Sequence, residues 1–250
     1  MGLLKGLIGG LSFLTIIPVK RVDENILLET ANHMYFFPLI GVFIGFLAGG
    51  FAWLLLNVFP KTVVGVLTIG FILIFTGFHH TDGLLDFGDG LMAQGTPMEK
   101  VRVMKDSKIG TGGVCLTLIV VLTSIFCVSS IPQPIILYGL IVSEVSAKFS
   151  MVVLARVGKS AYRGLNTYFI DAMHKRLGDF KVAIALGISV VIAVFLFGVK
   201  GLAVVFSGVV VSLVLAGISK RHFNGVTGDV FGAVNEISRM VSLLTVLLVV

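Results

Sequence analysis

Charge is scarce in this chain. Asp, Glu, Lys and Arg make up 13% of its 250 residues, about half the ~25% of a soluble domain. Cysteine is scarcer still: Cys115 and Cys127 are the only two, and both lie in one apolar run. They read as small packing residues, which excludes a disulfide scaffold. What fills the space is apolar. Hydrophobic residues reach 56% and the mean hydropathy is +1.06. Disordered chains are poor in such residues, so disorder is excluded as well. The composition predicts an all-α polytopic transmembrane helical bundle, with 1–250 forming a single integral-membrane domain.

A helix that crosses the hydrocarbon core needs ~20 mostly apolar residues. Stretches free of Asp, Glu, Lys and Arg run over 30–60, 62–81, 109–143, 182–199 and 201–219. Pro132 and Pro134 divide the longest into spans near 113–131 and 135–155. That predicts about six full spans, with 6–19 and 240–250 as two short or partial ones. A β-barrel is disfavoured, because barrel strands alternate apolar and polar residues whereas these runs are apolar on every face. The N-terminus does not read as a cleaved signal peptide: its positive region is thin and no small-residue cleavage site follows residue 19.

Charge placement predicts orientation. Segments 20–33, 79–112, 156–181 and 219–239 hold 15 of the 19 Lys and Arg, which puts them on the cytoplasmic side. The net charge of +6 is then topogenic bias plus attraction to anionic lipid; it does not call for nucleic acid. The same four segments hold 12 of the 13 acids, the remaining one being Glu144. Topology does not require acids there, so a polar site on the cytoplasmic face is expected, on segments 79–112 and 219–239. Glu144 and Lys148 stand i, i+4 inside a span and are expected to pair.

The densest polar cluster is His79-His80-Thr81-Asp82-Gly83-Leu84-Leu85-Asp86-Phe87-Gly88-Asp89-Gly90. Asp82, Asp86 and Asp89 are spaced i, i+4, i+7 and share one helical stripe. Carboxylates so placed repel one another unless a cation sits between them, and hard oxygen donors suit Mg²⁺, Mn²⁺ or Ca²⁺. The bland alternative is a solvated helix end carrying acids. His79 and His80 read as interfacial polar residues before metal ligands.

Downstream, Thr96-Pro97-Met98-Glu99 predicts a capped helix start, followed by Lys100, Arg102, Lys105, Asp106 and Lys108 and the turn Gly110-Thr111-Gly112-Gly113. Cations beside a helix start suit phosphate; alone they read first as a topogenic loop, and beside the acidic cluster as partners of a metal-bound diphosphate. Arg156, Arg163 and Lys175 carry the same two readings. In Asn224-Gly225-Val226-Thr227-Gly228-Asp229 and on to Glu236, small residues permit close helix packing. Asp229 is a candidate second acidic wall, seven residues from Glu236.

Three motifs together resemble the cobalamin-5′-phosphate synthase (adenosylcobinamide-GDP ribazoletransferase) family: His80-x-Asp82-Gly83-Leu84-x-Asp86-x-x-Asp89-Gly90, Met104-Lys105-Asp106-Ser107-x-Ile109-Gly110-Thr111-x-Gly113, and Asn224-Gly225-x-Thr227-Gly228-Asp229-x-x-Gly232-Ala233-x-x-Glu236. Their order and spacing agree over essentially the whole chain. Lys108 stands where the pattern carries Arg, which loses a bidentate fork, and Phe87-Gly88 departs from the usual pair between the acids. The resemblance implies transfer of α-ribazole, or its 5′-phosphate, onto adenosylcobinamide-GDP with release of GMP. The implied catalytic residues are Asp82, Lys105 and Asp106. The implied substrate contacts are His80, Lys108, Arg163, Asn224 and Thr227. A Mg²⁺ ion is expected on Asp82, Asp86, Asp89, Asp229 and Glu236. The expected partners are the two substrates and membrane lipid, with a homo-oligomer as an option and no nucleic acid; the expected place is the cell membrane, with the site facing the cytoplasm. The rival readings are a CDP-alcohol phosphotransferase, whose Asp-Gly-x-x-Ala-Arg pattern is missing here, and a cation-coupled transporter, for which no internal repeat is seen.

Overall fold

A computed structural model describes residues 2–18 and 23–250 of the chain. Lys20 and Arg21, two of the basic residues counted in the first charged segment, lie outside the described residues. The chain is a helical bundle with no named strand among the described residues. A short apolar helix α1 (Gly2–Leu14) and α2 (Glu24–Asn32) precede α3 (Phe37–Leu55). Then come α4 (Lys61–Phe75), α5 (His79–Met92), α6 (Pro97–Met104), α7 (Thr111–Ser130) and α8 (Gln133–Val157). The chain closes with α9 (Leu165–His174), α10 (Gly178–Phe197), α11 (Gly201–Phe223) and α12 (Gly228–Val249).

Helix α8 is the central column, buried at every residue from Gly139 to Ala155. Its packing follows from small residues on its neighbours, since close backbone approach is what holds helices together where apolar burial gives no net drive. Along α3, Gly41, Gly45 and Gly49 form an i, i+4, i+8 ridge. A Cβ on these three would stand 2.6 Å from the Glu144 carbonyl oxygen, 2.5 Å from Ile141 Cα and 2.8 Å from Leu137 Cα. Helix α11 adds hydrogen bonds: Ser146 Oγ donates to the Val204 carbonyl at 2.9 Å, and Ser212 Oγ to the Ser150 carbonyl at 2.9 Å. Outward, large apolar side chains such as Phe46, Trp53, Phe126 and Phe195 are exposed, as lipid contact requires.

Five helical stretches are long and apolar enough to cross a membrane, or six if the bent pair α4 and α5 counts as one crossing. One of the five, Gly178–Phe223, spans 46 residues; at ~1.5 Å per residue it is more than twice the hydrocarbon thickness. It is α10 and α11 folded back on each other, with Gly201 against the Ala193 carbonyl. Two expectations change. Residues 240–250 are no separate partial span; they end α12, which begins at Gly228 and is 22 residues long. The segment 219–239, read as one charged stretch on the cytoplasmic side, is mostly the end of α11, which runs to Phe223, and the start of α12, with only a short turn between them.

The site is placed by a break. Helix α4 ends at Phe75, and Gly77 and Phe78 both take positive φ (65° and 58°). The chain turns there by 95°, so α5 runs across the end of the bundle rather than through it. Helices α8 and α11 finish at the same end. Their loops are joined by an isolated bridge between Ser160 and Val226, with Val226 N–H donating to the Lys159 carbonyl at 2.7 Å.

Candidate active site

Helix α5 crosses α12 where both carry glycine. A Cβ on Gly83 would stand 3.0 Å from Asp229 Cα, and one on Gly232 would stand 2.7 Å from the His80 carbonyl oxygen. The contact is backbone to backbone, and it brings the acids of one helix beside that of the other. Asp82 is exposed and Asp86 half-buried on α5; Asp229 occupies the first turn of α12. Thr227 caps that helix: its Oγ1 accepts the Val230 N–H at 3.4 Å and donates to Asp229 Oδ2 at 3.1 Å. Among the described residues no Lys or Arg forms an ion pair with Asp82, Asp86 or Asp229. Burial, then the charges of Asp229, Asp82 and Asp89, push the Asp86 carboxyl up to about 7.

Asp89 does something else. Its Oδ2 accepts the Gly110 N–H and its Oδ1 the Gly113 N–H, both at 2.7 Å. The carboxylate closes the N-terminus of α7, where unpaired N–H groups and the helix dipole favour a negative charge. Gly88 and Gly113 allow this approach, with a Cβ on Gly88 meeting Gly113 Cα at 2.8 Å.

Glu236 lies deeper along α12 and is 2% exposed. Its Oε1 accepts from Asn235 Nδ2 at 3.0 Å and its Oε2 from Arg239. Arg239 also pairs with Glu144, whose other oxygen meets Lys148 Nζ at 3.1 Å. Four charges therefore sit inside the bundle in two opposite pairs, with Lys148 further tied to Asn235 at 2.7 Å. The structure thus does not gather all five expected metal ligands: Asp89 is engaged by α7 and Glu236 by Arg239.

The basic segment reaches the acids through one residue. Lys105 Nζ lies 3.6 Å above the centroid of the Tyr162 ring, and Tyr162 is raised by burial and by the charge of Asp229. Asp106 accepts the Lys108 N–H at 3.2 Å in an exposed turn, leaving the Lys108 side chain in solvent. Arg163 is also exposed. Asn224 is the left-handed C-cap of α11 (φ 59°), a turn role rather than a cleft contact. The expected capping box at Thr96 and Glu99 is present.

Asp82 and Asp229 open onto a cleft of about 750 Å³, which is also lined by His80, Asn166 and residues of α1, α2 and α9. His80 is 6% exposed, and burial holds its imidazole well below the usual histidine range. It is neutral, with Nδ1 unpartnered. Among the described residues no three His, Cys, Asp or Glu side chains already converge as a metal cage. The donor chemistry of Asp82, Asp86 and Asp229 nonetheless suits a hard divalent ion: oxygen donors only, from two helices, with uncompensated negative charge recorded in the raised Asp86.

The sequence profile of the cobalamin-5-phosphate synthase family matches residues 6–247. The chain belongs to that family. It is similar to the adenosylcobinamide-GDP ribazoletransferase of Methanosarcina barkeri (strain Fusaro / DSM 804), 34% identical over 94% of this chain and 89% of the relative. The enzyme of the same name from Methanocella arvoryzae is 36% identical over 96% of this chain and 94% of that one. That from Caldanaerobacter subterraneus subsp. tengcongensis is 33% identical over 96% of both. No solved structure matches the chain.

In this cobalamin-5-phosphate synthase family member, several cleft residues carry no motif that would have marked them. Asn166 is 2% exposed; its Nδ2 donates to the Val226 carbonyl at 2.9 Å and to Ser160 Oγ at 2.7 Å, tying α9 to the turn before α12. Tyr162, outside the cleft lining, lies under Lys105 and feels the charge of Asp229. Phe13, Phe37, Phe169 and Phe231 come from four different helices, so no sequence window holds them. The one available signal was Asn166 itself, a polar residue in the first turn of α9.

Proposed function

We propose that the protein transfers α-ribazole, or its 5′-phosphate, onto adenosylcobinamide-GDP, giving adenosylcobalamin or its phosphate and GMP, with Asp82, Asp86 and Asp229 holding Mg²⁺. The reading rests on family membership for the reaction. For the site it rests on one observation: two helices meet glycine to glycine and leave three carboxylates without ion-pair partners, two of them, Asp82 and Asp229, at the mouth of a cleft.

Mg²⁺ held there supplies charge neutralisation for the diphosphate and its leaving phosphate. The remaining work falls to the chain. Asp82, exposed at the cleft, accepts the proton of the attacking ribose hydroxyl. Thr227 fixes the Asp229 carboxylate. Tyr162 holds Lys105 over its ring, where the ammonium offsets charge growing on the phosphoryl oxygens. Lys108 and Arg163, free in solvent, attract the anionic substrate, and Asp106 orders the loop that carries Lys108. His80, neutral and in the cleft wall, contacts substrate. The protein sits in the cell membrane with this end facing the cytoplasm.

The test is GMP release by purified protein in lipid vesicles given adenosylcobinamide-GDP, α-ribazole and Mg²⁺. Turnover is expected, lost with EDTA, restored by Mg²⁺, and reduced about 10²-fold or more by Asp82→Asn. Turnover that ignores EDTA would remove the ion from the site; absence of turnover would remove the reaction.

A further inference from the structure

Asp229 and Lys105 come from distant parts of the chain. Asp229 opens α12, whereas the Lys105 ammonium rests on the ring of Tyr162, a residue of the loop 158–164 between α8 and α9. The loop and the turn before α12 are clasped together. Val226 is held by both its backbone groups: its N–H donates to the Lys159 carbonyl at 2.7 Å, and its carbonyl accepts the Ala161 N–H at 3.0 Å. Gly225, at φ 152°, lets the two segments pass, since a Cβ there would stand 2.5 Å from the Lys159 carbonyl oxygen.

Asn166 locks this clasp. Its Nδ2 carries two donors, and both are used: one on the Val226 carbonyl at 2.9 Å, the other on Ser160 Oγ at 2.7 Å. A carbonyl only accepts, so the amide has a single orientation. Ser160 Oγ in turn donates to the Tyr162 carbonyl at 2.6 Å. Through Ser160 the amide therefore reaches Tyr162 and the ammonium above it. Through Val226 it reaches Thr227, which caps α12 and holds Asp229.

Neither partner needs Asn166 to be satisfied. The Val226 carbonyl already accepts from Ala161, and Ser160 Oγ already has the Tyr162 carbonyl. A buried amide that repeats bonds made elsewhere adds direction to the clasp rather than filling an empty place in it. We propose that Asn166 is a positioning residue for the transfer, fixing the Lys105 ammonium, by way of Tyr162, at a set separation from the Asp229 carboxylate. This rests on the ribazole-transfer reading above. A cation and an acidic wall that serve one diphosphate must address it from fixed places, and a shift of ~1 Å caused far from the reacting atoms can cost ~10²-fold.

Ser242 provides the control. It is fully buried, and its Oγ donates to Ser146 Oγ at 2.8 Å, roughly 20 Å further along α12 than Asp229. Ser146 keeps its own bond to the Val204 carbonyl, so this contact is redundant too. Asn166→Ala and Ser242→Ala are expected to fold, with similar small falls in Tm in detergent. In vesicles only Asn166→Ala is expected to lower kcat for GMP release, by about tenfold or more. In a Lys105→Ala background, adding Asn166→Ala should cost little more, because the two act as one unit.

The Tyr162 ring gives a readout that needs no turnover. The chain has four tyrosines; with 3-fluorotyrosine incorporated, the ¹⁹F resonance lost in Tyr162→Phe belongs to Tyr162. It is expected to shift in Asn166→Ala and in Lys105→Ala, and to stay in place in Ser242→Ala. Losses that multiply in the double variant, or a Tyr162 resonance unmoved by Asn166→Ala, would overturn the proposal. A wild-type protein that releases no GMP would strike the reaction, while the resonance still decides whether Asn166 sets the ring.

Discussion

Asp89 grips Gly113 and Gly110 with one oxygen each, and thereby fastens α5 to the start of α7. The acid that the i, i+7 spacing places with Asp82 is a helix cap. A buried carboxylate that satisfies two N–H groups at a positive helix end is stabilising in itself, without any ion. Asp89→Ala leaves both N–H groups buried and unpaired. It is expected to cost about 2–4 kcal/mol, seen as a fall in Tm in detergent. Asp89→Asn keeps one acceptor oxygen and falls between. In both, the Mg²⁺ concentration for half-maximal GMP release stays near that of the wild type. A large shift in that concentration with little change in Tm would return Asp89 to the ion.

The crossing at Gly83 and Gly232 sets the distance between the acidic walls. A methyl group on Gly232 would press on the His80 carbonyl at 2.7 Å, and backbone on both sides cannot step aside as a flexible side chain could. Gly232→Ala is therefore expected to spread α5 from α12, costing about 1–3 kcal/mol and most of the activity. Gly70→Ala is the matched control. It sits in α4 with nothing within 4 Å of its Cβ position, and is expected to leave activity intact and to raise Tm slightly through helix propensity. Equal activity in the two variants would show that close approach at the crossing is not needed.

Helicity, the membrane class and the three motif stretches were all legible in the sequence, because each is a local pattern: apolar length, charge spacing, glycine spacing. What was not legible was depth along a helix. Seven residues return a side chain to the same face but ~10.5 Å further along the axis. On α5 that carries Asp89 past α12 to α7; on α12 it carries Glu236 into the bundle interior. A helical stripe fixes azimuth, and only the crossing point of a second helix decides which members of the stripe meet it. Arg239 was hidden for a related reason. Counted with the charged segment 219–239, it reads as a surface cation, whereas α12 continues unbroken and buries it against Glu144 and Glu236. The pair Glu144 and Lys148 was legible, being i, i+4 on one helix.

That buried set makes a further prediction. Glu144, Lys148, Glu236 and Arg239 are each 2% exposed or less and balance two against two. Removing one charge strands its partners in a medium where an unpaired ion costs about 3–5 kcal/mol. Glu144→Gln, which serves both Lys148 and Arg239, is expected to reduce Tm more than Glu236→Gln, which frees only one contact to Arg239. Glu236→Gln is expected to leave the Mg²⁺ requirement of any folded protein unchanged. A Glu236→Gln protein with normal Tm and a markedly weakened Mg²⁺ requirement would place Glu236 at the ion after all.

The raised Asp86 carboxyl gives the proposed Mg²⁺ site a pH signature. With no cation present it titrates at about 7, held there by burial and by Asp229, Asp82 and Asp89, whereas an unfolded chain titrates near 4. The folded protein thus binds the extra proton between those values. By linkage, this contribution to stability is complete below about pH 4 and is lost as pH rises through 7. In EDTA, Tm should therefore decline between pH 5 and 8 through this group. A divalent ion reverses the sign, because it needs the carboxylate that the proton occupies. Apparent Mg²⁺ affinity is expected to tighten by up to about tenfold per pH unit below 7 and to level off above it. Asp86→Asn should flatten that dependence, and also the decline in EDTA, while weakening Mg²⁺ activation. Mg²⁺ titrations of GMP release at pH 6, 7 and 8, beside melting curves with and without EDTA, measure both signs; an affinity independent of pH in the wild type would take Asp86 out of the coordination set.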